Sequence, residues 1–324
     1  MPVEKRENIL ITGGAGFIGS HLTERCLKDG HAVTVIDDCS TGSWDNLARI
    51  RSHPDLRCVT SKVSGCGELE RWVAASDVIY HLAAAVGVEL VVHSPIRTIE
   101  TNLHETEVLL EAAGQHGIPV LLASTSEVYG KSQKDAFDEE DDLIIGPPHL
   151  GRWSYACSKL MDEFLALAYS NEKHLPVIIT RLFNTVGPRQ TGKYGMVLPR
   201  FIAAARKGEP LHVYGDGRQT RCFCYVGDTI EALVRLRKHP AARGQVFNVG
   251  TDEEISIADL ASLVVDTLRS TSPIVWRSYD EAYAKGFQDM LRRKPIIDKL
   301  VRTVDFRPRT GLADIIRLTA GATE

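Results

Sequence analysis

The chain has 324 residues, a length that fits one large domain or two closely joined ones. Hydrophobic residues make up 44% of it and charged residues 25%, which is ordinary for a globular protein and excludes a disordered, collagen-like or fibrous chain. The formal net charge of −4 provides no positive excess for general binding to a phosphate backbone, so we expect no nucleic-acid partner.

The seven cysteines are scattered and form no CxxC pair, a pattern that predicts neither a zinc site nor a disulfide framework. We therefore expect no metal and a reducing, cytoplasmic compartment. The apolar run near the amino terminus, Asn8–Thr12, is too short for the core of a signal peptide or for a membrane span. No membrane partner is expected.

The first half of the chain alternates short apolar runs with helical patterns. In chain order these segments are Asn8–Thr12, Gly19–Lys28, Ala32–Asp37, Val78–Leu82, Thr98–His116, Val120–Ser124, Tyr155–Tyr169 and Val177–Leu182. Alternating strands and helices indicate a parallel sheet with crossover helices. The strand segments are apolar at nearly every position, as expected when helices cover both faces of a sheet. The sequence predicts an α/β fold with a doubly wound parallel sheet of the Rossmann type.

The sequence pattern changes from about Asn184, where Gly, Pro and Arg clusters separate shorter predicted elements. We predict a Rossmann domain over residues 1–183 and a smaller, mixed domain over residues 184–324, some segments of which return to the first.

A glycine cluster follows the first predicted strand and opens the first predicted helix. Gly13 permits a tight turn, Gly16 lets backbone N–H groups approach a pyrophosphate, and Gly19 allows close packing of helix and strand. The second strand ends in Asp37, eighteen positions after Gly19, where a carboxylate can accept hydrogen bonds from the adenosine ribose. Because this carboxylate would repel a 2′-phosphate, the pattern predicts NAD rather than NADP.

The glycines alone also fit a flavin or plain nucleotide fold, or a simple tight turn between strand and helix. Asp38 is equally consistent with contact to the ribose and with capping the turn at residues 40–42.

Tyr155 and Lys159 are four residues apart on a predicted helix, so their side chains project from one face. A neighbouring ammonium stabilises a phenolate and lowers the tyrosine pKa, which would make Tyr155 a base for a sugar hydroxyl. Such pairs are common on exposed helices. The run Ser124–Glu127 strengthens the interpretation because it ends a strand at the carboxyl edge, where doubly wound sheets bind ligands.

Several motifs resemble, in order, those of the extended short-chain dehydrogenase/reductases that act on nucleotide-activated sugars. They are TGGAGFIGSHL (Thr12–Leu22), YHLAA (Tyr80–Ala84), the Asn of TN (Asn102), STSEVYG (Ser124–Gly130), YACSK (Tyr155–Lys159), RLFNTVGPR (Arg181–Arg189), and Arg221 with Phe223. The resemblance covers nearly the whole chain. It implies NAD as cofactor, a UDP-sugar as substrate, and a homodimer built on the helices around Thr98–His116 and Tyr155–Tyr169.

The resemblance also implies residue roles. Thr125 would hydrogen-bond the reacting hydroxyl, Tyr155 would remove its proton, and Lys159 would also hold the nicotinamide ribose. The nucleotide diphosphate would be addressed by Asn184, Arg221 and Arg293. The expected cofactor contacts are Gly13, Gly16, Phe17, Ile18, Gly19, Asp37, Asp38, Leu82, Ala83, Ala84, Asn102, Tyr155 and Lys159.

One position departs from the family pattern. Near the end of the third strand the family usually has an Asp followed by an aliphatic residue to hold the adenine amine, whereas this chain has Lys62 and Val63. We expect adenine contact there to depend on backbone.

The residues after Thr125 distinguish the reactions of the family. Simple 4-epimerases have small or neutral residues there, and hexose 4,6-dehydratases have Asp-Glu. Ser126 and Glu127 resemble instead the UDP-glucuronate decarboxylases, in which oxidation at carbon 4 creates a β-keto acid that loses carbon dioxide. The stretches Arg152–Lys159 and Lys285–Pro295 resemble the branch that forms a 4-keto-pentose or apiose more than the plain xylose synthases.

We therefore expect a UDP-glucuronate decarboxylase, with Thr125, Ser126, Glu127, Tyr155 and Lys159 as catalytic residues. A UDP-hexose 4-epimerase is the alternative, and under it Glu127 could be a surface carboxylate that caps its loop. A non-catalytic NAD-sensing protein is a more distant alternative, because such proteins typically lack the Tyr or the Lys.

Overall fold

A parallel sheet forms the centre of the computed structural model, which describes residues 5–85, 94–192, 196–278, 290 and 292–321. In the described ranges its seven strands are β1 (Asn8–Thr12), β2 (Ala32–Asp37), β3 (Leu56–Thr60), β4 (Val78–His81), β5 (Val120–Thr125), β6 (Val177–Leu182) and β11 (Gln245–Val249). Their order is β11-β6-β5-β4-β1-β2-β3, and every neighbouring pair is parallel. The predicted doubly wound sheet is confirmed.

Helices cover both faces of this sheet. Those between and after its strands are α1 (Phe17–Lys28), α2 (Leu69–Ala74), α3 (Pro95–His116), α4 (Trp153–Lys173), α6 (Val226–Lys238) and α8 (Asp298–Val304). Ile9 and Ile11 of β1 pack with α1, α6 and α8, whereas Leu10 packs on the opposite face with α2, α3 and α4. Because alternate strand residues enter two separate cores, the strands are apolar at nearly every position.

A second lobe lies beyond the carboxyl end of the sheet. Its helices are α5 (Val197–Lys207), α7 (Ile257–Leu268) and α9 (Leu312–Ala320), and its strands are β7 (Thr185–Val186), β8 (Leu211–Tyr214), β9 (Thr220–Cys222), β10 (Cys224–Tyr225), β12 (Glu254–Ser256) and β13 (Ile274–Arg277). The strands pair as β7 with β10, β9 with β12 and β8 with β13. The three helices share an apolar core with β8.

Strand β11 returns from the second half of the chain to the edge of the main sheet, where it pairs with β6. Helix α6 likewise packs against α1. Segments beyond residue 183 thus complete the first lobe. The boundary at residue 183 remains a prediction.

No helix within the described residues combines the length and the apolar character that crossing a bilayer requires.

Candidate active site

A cavity of about 910 Å³ lies between the carboxyl ends of the central strands and the second lobe. Residues of the glycine loop, the ends of β2, β4 and β5, and helices α4 and α5 line it. Ligands bind at this edge in doubly wound sheets, because the loops that leave the strands converge there.

Nearly all predicted site residues line this one cavity. They are Gly13, Gly16, Phe17, Ile18, Gly19, Asp37, Asp38, Leu82, Ala83, Ala84, Thr125, Ser126, Glu127, Tyr155, Lys159, Asn184, Arg221 and Arg293. Lys62 and Val63, at the departure from the family pattern, line it as well.

Asn102 does not line the cavity and lies behind it on α3. Its Oδ1 accepts a hydrogen bond from the backbone N–H of Ala85 at 2.7 Å, and its Nδ2 donates to Ser158 Oγ at 3.0 Å. Asn102 therefore holds the segment after β4 against α4, and its influence on a ligand is indirect.

The glycine loop packs too closely for side chains. Gly13 has a φ of 73°, and a Cβ atom on it would lie 2.7 Å from the backbone nitrogen of Ala83. A Cβ atom on Gly19 would lie 2.1 Å from the carbonyl oxygen of Gly13. The loop thus brings the first turn of α1 to the cavity wall, where a helix amino end favours a phosphate group.

Asp37 is buried at the end of β2 and supports the glycine loop. Its Oδ2 accepts a hydrogen bond from the N–H of Ala15 at 2.9 Å, and its Oδ1 accepts one from Cys39 at 2.8 Å. Burial raises the pKa of this carboxyl, although these backbone hydrogen bonds oppose the shift. Asp38 makes the predicted turn contact, since its Oδ1 accepts from the N–H of Ser40 at 2.9 Å, and it lines the cavity too. Together with the glycine loop, these carboxylates fit an NAD dinucleotide.

Tyr155 and Thr125 both line the cavity, and the Thr125 hydroxyl is near enough to affect the ionisation of Tyr155. Burial raises the pKa of Tyr155, and the negative charge of Glu127 acts in the same direction, whereas the Thr125 side chain opposes the shift. The prediction of a lowered pKa for Tyr155 is therefore wrong. The physical reason is that burial outweighs the opposing contacts, while the Lys159 ammonium is paired with Asp162 at 2.8 Å.

Glu127 lies between two guanidinium groups. Its Oε1 is 2.6 Å from Arg293 Nη1, and its Oε2 is 3.2 Å from Arg152 Nη2. We call Glu127, Arg152 and Arg293 the arginine cluster. Burial favours the neutral carboxyl, but Arg293, Arg152 and Arg221 together hold the pKa of Glu127 below its usual value. Glu127 is therefore an ionised residue of the cavity and not the cap of a surface loop.

The residues predicted to address a diphosphate make protein contacts here. Arg293 pairs with Glu127, and its Nε is buried without a hydrogen-bond partner in the described part of the chain. Asn184 donates from Nδ2 to the carbonyl of Cys222 at 3.0 Å, and Arg221 donates to the carbonyl of Thr220 at 2.8 Å. Of the stretch 285–295 that resembled the keto-pentose branch, residues 285–289 and 291 lie outside the described residues.

Three further charged residues of the site were not predicted. Arg152 precedes the first residue of α4 and contacts Glu127. Asp162 pairs with Lys159. Arg189 has a φ of 68°, lines the cavity and donates to Ser20 Oγ at 3.1 Å and Glu24 Oε1 at 2.7 Å, which ties the second lobe to α1. The spacing of Asp162 from Lys159, three residues on one helix, is a signal that could have indicated that pair. No comparable spacing links Arg152 or Arg189 to its partner.

Comparison with known proteins supports one family. The profile of the NAD dependent epimerase/dehydratase family matches residues 9–250. A Bacillus cytotoxicus protein named UDP-N-acetyl-alpha-D-glucosaminuronate decarboxylase is 40% identical over 307 residues, 94% of either chain. UDP-glucuronic acid decarboxylase 1 of Xenopus tropicalis is 36% identical over 97% of this chain and 71% of its own length.

A solved structure extends the similarity to the fold. The UDP-glucuronic acid 4-epimerase of Bacillus cereus, in complex with UDP-glucuronic acid and NAD, superposes with a TM-score of 0.87 at 27% identity. The superposition covers 97% of this chain and 98% of the epimerase.

Proposed function

The chain belongs to the NAD-dependent epimerase/dehydratase family and is an NAD-dependent enzyme, and on that premise we propose that it decarboxylates a UDP-hexuronic acid. The observation that carries the proposal is the arginine cluster, which lines the same cavity as Thr125 and Tyr155. The names of the two sequence relatives agree with this reaction, and each includes a hexuronic acid.

The charge of the cluster suits an anionic sugar. Arg152 and Arg293 carry two positive charges against the single negative charge of Glu127, and Arg221 adds a third positive charge within electrostatic reach. A neutral hexose would gain little from this excess, whereas the carboxylate of a hexuronate is attracted to it. The excess positive charge also offsets the repulsion that Glu127 alone would exert on that carboxylate.

Each step assigns a task to residues of the chain. Thr125 orients the carbon 4 hydroxyl, and Tyr155 accepts its proton. When bound against the glycine loop, NAD supplies the hydride acceptor that makes carbon 4 a ketone. The bond between carbons 5 and 6 then breaks, its electron pair passes to the ketone oxygen as an enolate, and carbon dioxide leaves. Solvent supplies the proton that carbon 5 gains.

We assign Glu127 the role of positioning the guanidinium groups of Arg152 and Arg293. Because the arginines lower its pKa, Glu127 is ionised near neutral pH and is a poor source of that proton. It fixes both guanidinium groups in place through one contact to each. Ser126 is buried beside it at the cavity wall.

The experiment that tests the reaction supplies UDP-glucuronate and UDP-N-acetylglucosaminuronate separately in heavy water, and measures product mass and released carbon dioxide. We expect a five-carbon sugar nucleotide that carries solvent deuterium at carbon 5, with the ketone either retained or reduced again. Glu127→Gln should lower this turnover by about tenfold or more while NAD binding persists. A six-carbon product without deuterium, formed equally well by Glu127→Gln, would identify the 4-epimerase instead.

We also propose a homodimer, supported by the paired helices α3 and α4. They expose the residues Ile96, Met161 and Phe164, which are 71%, 54% and 61% accessible to solvent in the single chain. A second copy would bury this apolar surface. Sedimentation should show a dimer for the native chain and for Ile144→Asp, which changes an exposed residue elsewhere, but a monomer for Phe164→Asp. A native monomer would contradict the proposal.

The seven cysteines are all free, which supports the proposed cytoplasmic location, because a reducing compartment preserves thiols. Cell fractionation checks this location, and recovery outside the cytoplasm would contradict it.

A further inference from the structure

Helix α4 holds an ion pair that the proposed reaction leaves unexplained. Lys159 Nζ donates a hydrogen bond to Asp162 Oδ2 at 2.8 Å, and the two side chains are only 3% and 0% exposed. Lys159 lines the cavity, whereas Asp162 lies behind it. The pair thus joins a residue of the cavity to a fully enclosed carboxylate.

Tyr155, Lys159 and Asp162 are spaced by four and three residues, which places them along one stripe of the helix. The positive charge of Lys159 therefore stabilises two negative groups. One is the Asp162 carboxylate, and the other is the phenolate that Tyr155 becomes when it loses its proton. A cation that is already paired with a buried carboxylate stabilises a nearby phenolate less than a free cation does. The Lys159–Asp162 pair therefore reduces what Lys159 can contribute to Tyr155.

The other groups around the Lys159–Asp162 pair do not take the place of Asp162 as the partner of Lys159. Burial raises the pKa of Asp162, whereas Lys159 and the Thr106 side chain of α3 oppose this shift. The neighbouring Glu163 raises it further, but the Glu163 carboxylate is itself paired with Arg181. His81 of β4 lies near Lys159. Burial, with a smaller contribution from the Lys159 charge, lowers the pKa of His81 and keeps its ring neutral.

Tyr155 itself faces charged groups from three elements. Glu127, beyond β5, and Asp162, on α4, raise the pKa of Tyr155, and Arg293, from the segment before α8, lowers it. Asp162 is therefore a carboxylate on the same helix as Tyr155, and its negative charge disfavours the phenolate form of Tyr155.

We propose that Asp162 is a positioning residue that retains the Lys159 ammonium and so sets the pH at which Tyr155 becomes a base. The inference rests on the proposed function for the role of Tyr155 but not for the identity of the sugar. Without the Asp162 charge, the Lys159 ammonium is available to the phenolate, and one source of repulsion disappears. Tyr155 should then ionise at lower pH.

Two substitutions at position 162 test the proposal. Asp162→Asn keeps the size and a hydrogen-bond acceptor but removes the charge, and Asp162→Glu restores the charge. Glu172→Gln is the matched control, because it removes the same charge from the exposed end of the same helix. Loss of one partner of a buried ion pair is destabilising. If Asp162→Asn does not fold for this reason, Asp162→Ser is measured in its place and judged by the same outcomes.

The first measurement needs no substrate. Tyrosinate absorbance is followed in the ligand-free protein up to the highest pH at which the fold persists, and the signal of the matching Tyr155→Phe protein is subtracted. We expect Tyr155 to ionise about one pH unit or more lower in Asp162→Asn than in the native protein, with Asp162→Glu and Glu172→Gln near native. An unchanged Tyr155 titration in folded Asp162→Asn would overturn the proposal.

The second measurement is the pH profile of kcat/KM with a UDP-hexuronate. Its acidic limb should move to lower pH in Asp162→Asn by a similar amount, which a general loss of stability would not produce. A shifted tyrosinate titration without any sugar product would support the role of Asp162 and contradict the proposed decarboxylation. An acidic limb at the native position would contradict the role of Asp162.

Discussion

Asp37 is the residue on which the choice of cofactor depends. Its carboxylate lines the cavity and also accepts two backbone hydrogen bonds that support the glycine loop. Asp37→Ala should therefore weaken both cofactors, but NAD by about tenfold more than NADP, because only NAD has a free 2′-hydroxyl to lose a charge-assisted hydrogen bond. Calorimetric titration of both cofactors checks this, and equal losses would show that Asp37 acts only through the loop.

Tyr155 is the proposed base. Replacing it by Phe removes the hydroxyl but keeps the ring that lines the cavity, so the sugar nucleotide should bind with nearly native affinity. Turnover should fall on the order of a hundredfold or more, as expected for a lost general base. Tyr169→Phe, at the other end of the same helix, is the control and should keep native turnover. Near-native turnover in Tyr155→Phe would contradict the assignment.

Single residues could be predicted from the sequence where a motif fixes them, but their partners could not. The positions of Tyr155, Lys159 and Glu127 followed from motif order and strand ends. The contact of Arg293 with Glu127 joins residues 166 positions apart, so its geometry depends on how the second lobe folds over the sheet. The pKa of Tyr155 was mispredicted because burial and the Asp162 pair are tertiary properties.

Helix α1 can approach β1 only because Gly19 has no side chain. A methyl group there would lie 2.1 Å from the carbonyl of Gly13, which is backbone and cannot rotate away. Gly19→Ala should therefore lower the free energy of unfolding by about 1–3 kcal/mol and weaken NAD binding by about tenfold or more. Gly67→Ala, where a Cβ meets no atom within 4 Å, is the control. Denaturant unfolding and NAD titration check both, and native behaviour of Gly19→Ala would refute the packing argument.

Five of the seven strands of the main sheet were predictable because alternating apolar runs need a doubly covered sheet, whereas β3 and β11 were not among the predicted segments. The predicted segments Asn8–Thr12, Ala32–Asp37 and Val177–Leu182 coincide with β1, β2 and β6. The short strands of the second lobe were not predictable individually. They have two to four residues and pair across long sequence distances, so local periodicity carries little information about them.

Stability of the whole molecule should depend on pH through His81, which joins β1 to α3. The ring is buried between the hydroxyls of Thr12, at 2.7 Å, and Thr106, at 3.1 Å. Burial, with a smaller contribution from Lys159, lowers its pKa from 6.5 to about 3. Below pH 6.5 the His81 ring therefore binds a proton in the unfolded chain but not in the folded chain. The free energy of unfolding consequently decreases as the pH falls from about 6.5 to about 3.

Denaturant unfolding at several pH values checks this sign. His81→Gln should reduce this loss of stability by about 1.4 kcal/mol per pH unit, the value of one proton, whatever its effect at neutral pH. His104→Gln changes an exposed histidine on the same α3 and should leave the slope unchanged. Equal slopes in the native and His81→Gln proteins would mean that His81 is not the group responsible.

The position of β11 beside β6 has a consequence for how the protein is made. Residues 183–244 separate the two strands, so at ordinary translation rates β11 emerges roughly 3 to 12 seconds after β6. During that interval six strands of the sheet are already synthesised, but the backbone groups along the outer edge of β6 have no neighbour. An open strand edge is the kind of surface through which nascent chains associate with one another. Strands β7 to β10 and helix α5 of the second lobe are thus synthesised while the sheet is still incomplete, whereas β12, β13, α7 and α9 of that lobe follow β11.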